Sequence, residues 1–214
     1  MKGIWRLFLL VCLALLAPIV PFLLFGGALE SQVNQWLSPP PPDWQLALLT
    51  VALLATDILL PVPSSLISTL AGAQLGPASA TAASWLGMSL SAAFGFALAK
   101  TFGRAIAHRF CRPDDLVRLD RFGQIYGAWT VVATRALPVL AEAAVFVVGL
   151  TELSWRRFLP AMMLSNLGIA LVYALLGHFA RSQGALALAL AASIALPLLA
   201  ATMTRWLLPA TASH

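Results

Sequence analysis

The chain has 214 residues, of which 60% are apolar, 10% charged and 9% aromatic, with a mean hydropathy of +0.88. A soluble domain carries about 45–50% apolar and about 25% charged residues, so a water-soluble globular protein and a disordered chain are both excluded. The net charge of +5 does not point to nucleic acid, because the 13 Lys and Arg sit mostly at the ends of apolar runs, where membrane proteins keep cytoplasmic anchors.

The first apolar run, about residues 7–29, stands behind Lys2 and Arg6. It is roughly 22 residues long, against about 7–15 for a signal-peptide core and about 20 for a span, so it reads as a membrane helix. Pro18 and Pro21 kink it, which neighbouring helices tolerate. Residues 30–43, ESQVNQWLSPPPPD, hold no Lys or Arg and end in a proline run that favours extended polyproline geometry. By the positive-inside rule this loop is periplasmic. Residues 1–43 are therefore an amino-terminal membrane helix and its proline-rich outer loop.

The next apolar stretch, 44–76, is broken by Pro61-Val62-Pro63-Ser64-Ser65. A long helix follows over 78–102, ending in Lys100 and Arg104. Residues 103–124 are the one sizeable polar insertion and face the cytoplasm. Within them Pro113-Asp114-Asp115 opens a short helix and Gly123 closes it, with Arg118 and Arg121 late, as the helix dipole prefers. Two readings of this helix stand: an interfacial helix on anionic lipid, or a solvated connector with one packed face. The stretch 125–150 is broken at Pro138, and a second long helix covers 157–180. A last helix, about 185–208, completes the segment 183–214.

The two broken stretches do not fit simple spans. After each break the chain runs only about 12 residues to Gly76 or Gly149, roughly 18 Å of a core about 30 Å thick. Such arms reach the midplane and turn back, one hairpin entering from each face. A shift of 77 positions superposes Pro61 on Pro138, Ser65 on Glu142, Gly72 on Gly149 and Arg104 on Arg181. The expected fold is an all-α integral membrane protein with four transmembrane helices plus two opposed re-entrant helical hairpins in an inverted repeat, a transporter architecture.

Three charges lie well inside apolar segments: Asp57 before the first break, and Arg135 and Glu142 on either side of the second. A charge at the bilayer centre costs about 2.5–3.5 kcal/mol on insertion scales, so these three need partners or a wet cavity. They form either an ion-pair cluster pinning the hairpins together or a site for a polar substrate or a proton. Pro61 and Pro63 break the first hairpin, and Ser64 is placed to cap a half-helix starting near Ser65; Pro138 starts its counterpart. Half-helix amino termini beside an arginine make a cradle for phosphate. Cys12 and Cys111 share neither environment nor ligand spacing, and His108 has no Cys, Asp or Glu at ligand spacing. Neither a metal nor any other cofactor is expected. No GxSxG, HExxH or P-loop pattern occurs, so enzymatic activity is not expected. Gly87, Ala92, Gly95 and Gly168 read as close-packing surfaces between helices.

From Asp57 to Ala180, more than half of the chain, the sequence resembles the DedA family of VTT-domain (SNARE-associated) membrane proteins. The resemblance rests on an acid leading into a Pro-x-Pro hairpin with an Ala-Gly exit (Asp57, Pro61, Pro63, Ala71-Gly72) and on a helix ending in Phe102-Gly103-Arg104. It continues through Thr134-Arg135-Ala136-Leu137-Pro138-Val139-Leu140-Ala141-Glu142, then Gly149 and Phe158. It implies two opposed re-entrant hairpins in a bacterial inner-membrane protein. The implied role is moving a phosphate-bearing lipid, such as undecaprenyl phosphate or a phospholipid, between leaflets with dependence on the proton gradient. This chain has Ser64-Ser65 where better-studied bacterial members carry a second acid, and Ala141 where they carry a second arginine. Besides a lipid flippase or scramblase, a small-ion or proton-coupled transporter and a non-transporting membrane factor remain open.

Overall fold

A computed structural model describes residues 41–58, 63–103, 113–135, 138–186 and 188–195. The first predicted helix, the outer loop up to residue 40, Pro61, Arg104, His108 and the chain beyond 195 lie outside the described residues. The described chain is all-α: α1 (Asp43–Ala55), α2 (Ser64–Leu75), α3 (Pro77–Leu98, continued by a π-helical turn, Ala99–Gly103), α4 (Pro113–Thr134), α5 (Pro138–Leu150) and α6 (Trp155–Ser182). Residues 188–195 are also helical. Two of these helices are apolar and long enough to cross a membrane, Pro77–Gly103 and Trp155–Ser182. Each spans about 40 Å, against a hydrocarbon core about 30 Å thick.

α3 and α6 are antiparallel and form the centre of the fold. Ala80 clusters with Ala174, Asn166 Nδ2 donates to Ser89 Oγ (3.1 Å), and Phe96 stacks on Phe158 with ring centroids 3.9 Å apart. Trp85 Nε1 adds a bond to the Met163 carbonyl (2.9 Å). Ser89 and Asn166 stand 77 positions apart, the offset at which the sequence superposes on itself.

The shorter helices dock crosswise on this pair. α2 lies on α6, with a Cβ at Gly72 falling 2.6 Å from Ala174 Cα and one at Gly177 falling 2.9 Å from the Ala73 nitrogen. α5 lies on α3 through Gly149, where a Cβ would meet Ala99 Cβ at 2.6 Å. Small residues allow such approach, because lipid-embedded helices associate by backbone-close packing and not by hydrophobic exclusion from water. Each long helix also sends a cation onto the carboxyl end of the short helix it carries. Lys100 Nζ donates to the carbonyls of Leu153 (2.8 Å) and Thr151 (3.4 Å), just past α5. Arg181 Nη1 donates to the Ala73 carbonyl (2.7 Å) and to Gln74 Oε1 at the end of α2. Cations there satisfy orphan carbonyls and oppose the negative end of the dipole.

α2 turns into α3 at Gly76, whose φ of 76° and ψ of 169° suit glycine alone. Gly76→Ala should therefore lose about 1–3 kcal/mol of stability, read as a lower thermal midpoint in detergent micelles. None of the described residues comes within 4 Å of a Cβ at this position, so the loss measures backbone strain without a packing clash.

The short helix expected to stop at Gly123 does not stop there. α4 runs unbroken from Pro113 to Thr134 and joins the polar insertion to the first arm of the second broken stretch. An interior glycine costs about 1 kcal/mol relative to alanine, but Gly123 is where α4 touches the chain after α5: its Cβ would collide with the Thr151 side chain. Gly123, Gly127 and Val131 are buried on one face, while Phe122, Ile125, Tyr126 and Trp129 are exposed on the other. Gly168 departs from expectation in the opposite sense: none of the described residues comes within 4 Å of a Cβ built there.

Candidate functional site at the hairpin breaks

α1 ends at Ala55, and Asp57 lies half-buried in the turn that follows. The next residue is anchored to α3, where the Ile58 backbone N–H donates to Ser91 Oγ (3.0 Å). α2 then begins at Ser64, one residue earlier than the expected start near Ser65, with Pro63 in place of Ser64 as its N-cap and no side-chain cap bond. The Pro63 carbonyl accepts from the Leu66 and Ile67 N–H groups. Ser64 is half-buried and Ser65 buried; the Ser65 carbonyl accepts from Thr69 Oγ1 (2.8 Å). Serine is thus part of the helix and not its lid, and among the described residues no side chain caps the positive end of α2.

At the second break, α4 ends at Thr134 and Arg135 closes its last turn, its N–H donating to the Val132 carbonyl (3.2 Å). Arg135 is half-buried. Asp57 and Arg135 are both engaged by neighbouring groups. α5 starts at Pro138, with Glu142 one turn in; the side chains of Pro138 and Glu142 lie outside the described residues.

The two broken stretches meet on α3 at Gly95. A Cβ there would sit 2.8 Å from Ile58 Cδ1 and 3.4 Å from Val145 Cγ1. Ile58 adjoins Asp57, and Val145 is one helical turn beyond Glu142, so one glycine receives both hairpins. Ser91, one turn earlier on α3, holds the first of them. The sequence reading missed Ser91, whose signal was its placement four residues before Gly95 on a small-residue face.

Polar groups in the helix interiors divide into two kinds. Most helical hydroxyls bond back to their own helix, as Thr50, Thr69, Thr134, Ser165 and Ser193 do onto carbonyls three or four residues earlier. Ser68 Oγ, Thr81 Oγ1, Ser84 Oγ and Asn166 Oδ1 are buried and have no hydrogen-bond partner among the described residues. Leaving such a group unsatisfied costs about 1–3 kcal/mol, so these four stand out energetically.

A separate polar cluster ties the chain between α5 and α6. Asp120 Oδ1 accepts from the Glu152 N–H (3.0 Å), Gln124 Nε2 donates to Glu152 Oε2 (3.3 Å), and Arg157 Nη1 donates to the Gln124 carbonyl (3.3 Å). An open cavity of about 290 Å³ lies against Gln124, Glu152, Leu153, Ser154 and Arg157. None of the described residues at the breaks lines it.

Against protein-family models, residues 62–179 match the VTT domain. No match to the chain was found among curated proteins or among solved structures.

Proposed function

The chain belongs to the VTT-domain (DedA) family, a family linked to the handling of membrane lipids, and from that membership we propose that it carries a phosphate-bearing lipid between bilayer leaflets. The observation that carries the reading is the convergence of both broken stretches on Gly95 of a membrane-length helix, with Arg135 closing the turn before one break. A guanidinium beside half-helix amino termini suits a phosphate headgroup, while the acyl or prenyl tail stays in the bilayer. In this reading the cargo, a phospholipid or a polyprenyl phosphate such as undecaprenyl phosphate, leaves with its covalent structure unchanged, and proton coupling enters through Asp57 or Glu142.

The proposed topology is four spans and two opposed re-entrant hairpins related by an inverted repeat. The crosswise docking of α2 on α6 and of α5 on α3 supports it, since Gly72 and Gly149 are 77 positions apart and play the same part. The bond between Ser89 and Asn166, at that same offset, is the contact expected on a pseudo-two-fold axis. The proposed setting is the bacterial inner membrane, with the amino terminus cytoplasmic.

Proteoliposomes carrying labelled phospholipid or labelled polyprenyl phosphate test the activity through a leaflet-specific quencher. Lipid should cross several-fold faster than in protein-free vesicles. Ion flux without lipid transfer would replace this reading with that of a small-ion transporter. Topology is tested separately by cysteine labelling in a background lacking Cys12 and Cys111. A cysteine at Ser65 should react slowly from both sides, whereas those at Ser38 and Asp115 should react rapidly from opposite sides. Rapid cytoplasmic labelling at position 65 would mean full spans in place of a re-entrant hairpin.

A further inference from the structure

We propose that the seam between α2, α3 and α6 holds a file of bound water that wets the first hairpin break from one membrane face only. The four orphan oxygens belong to these helices: Ser68 on α2, Thr81 and Ser84 on α3, and Asn166 on α6. Ser68, Ser84 and Asn166 are fully buried and Thr81 is 8% exposed. Neighbouring hydroxyls show that a helix can satisfy such groups itself, so three hydroxyls that do not bond back are held for another partner. Asn166 gives its amide nitrogen to Ser89, which leaves its oxygen for the seam; exchanging the two amide atoms leaves the nitrogen orphaned instead.

Hydrocarbon supplies no partner for these atoms, and bound water does, at small entropic cost. Thr81, Ser84 and Ser91 share one face of α3 at spacings of three and seven. Thr81 lies one turn inside the Gly76 end of α3, and Ser91 holds Ile58 at the break. The ten residues between Thr81 and Ser91 cover about 15 Å, half the hydrocarbon thickness. The file therefore reaches from one end of the helix to mid-membrane. It does not continue to the other face. The positions 77 residues beyond Ser68, Thr81 and Ser84 are Val145, Phe158 and Ala161. Val145 and Phe158 pack in an apolar cluster with Phe96, Val148, Leu153 and Met162. The seam of the first half is lined by unsatisfied oxygens and the matching positions of the second half by apolar side chains, whatever cargo is carried.

Met88 and Met162 provide a matched pair of reporters in the native chain. They are 2% and 1% exposed, so bulk water reaches neither. Met88 lies one turn from Ser84 and packs against Leu54 and Ala170, whereas Met162 sits in the dry cluster. Pulsed X-ray radiolysis of the full chain in lipid nanodiscs generates hydroxyl radical from bound water, and mass spectrometry reads sulfoxide formation at each methionine. Met88 should oxidise several-fold faster than Met162, and the double variant Ser68→Ala, Ser84→Ala should slow Met88 to the Met162 rate. Equal, slow oxidation of both in the native chain overturns the proposal, as does unchanged Met88 oxidation in the double variant. Thermal unfolding gives a second reading on Ser84→Ala alone. The midpoint should fall if a water bond is lost, and a rise would mean the hydroxyl had been buried dry and unsatisfied, which also overturns the proposal.

Discussion

Arg135→Lys is expected to insert and fold like the native chain and to move a phosphate-bearing lipid about tenfold to a hundredfold more slowly, the equivalent of one charge-assisted hydrogen bond of about 1.5–3 kcal/mol. Arg135 closes the last turn of α4 three residues before α5 begins at Pro138, so the backbone fixes where its side chain starts. Lysine keeps the positive charge, but it lacks the planar fork that grips two phosphate oxygens at once. Arg135→Ala separates the two roles. Removing one member of a buried charge pair costs about 3–5 kcal/mol, so a poor yield of folded alanine variant beside a normal yield of lysine variant assigns part of the role to structure. Native transfer rates in Arg135→Lys vesicles would remove bidentate phosphate recognition from the mechanism.

Gly72→Ala should be among the most damaging single-methyl changes in the described chain. Alanine gains about 1 kcal/mol of helix propensity over glycine, and overpacking costs about 1–3 kcal/mol or more. The second effect wins because the obstacle at Gly72 is the Ala174 backbone, with its Cα 2.6 Å and carbonyl carbon 2.7 Å from the new methyl. A flexible side chain would move aside; a helix backbone held by its own hydrogen bonds does not. α2 and α6 must separate, and Gly177, which abuts Thr69 and Ala73, loses its fit at the same time. A thermal scan in micelles should show a clearly lower midpoint for Gly72→Ala. Gly168→Ala, on the same α6 but with no described residue within 4 Å of the new methyl, should match the native midpoint or exceed it. Equal midpoints for Gly72→Ala and the native chain would show that the two helices are not in backbone contact.

The long helices were legible in the sequence because unbroken hydropathy and terminal Lys or Arg mark a span whatever it packs against. The first break was legible too, since Pro63 and Gly76 dictate backbone geometry locally. Gly123 and Gly168 misled for one reason: a glycine in a helix marks either a stop or a close neighbour, and the neighbour belongs to a distant part of the chain. At Gly123 the neighbour is Thr151; at Gly168 there is none among the described residues. Ser64 was read as a cap because serine favours that position, yet Pro63 occupies it and the residue number of the first helical turn moves by one. Nothing in the sequence singles out Ser68, Thr81 and Ser84 from the alanines around them, because the direction of a hydroxyl depends on rotamer and neighbours that composition does not record.

The docking of α2 on α6 sets an order of events during synthesis. Gly72 and Gly177 are 105 positions apart, so at about 5–20 residues per second the ribosome delivers α6 roughly 5–20 s after α2. For that interval the small-residue face of α2, cut to receive a helix that does not yet exist, has no permanent neighbour. The insertion machinery or the lipid around it must shelter the unfinished chain. A photo-cross-linker on α2 of a nascent chain stalled before Trp155 should accordingly capture the insertion machinery or lipid, and release of the stall should replace that product with a cross-link to α6.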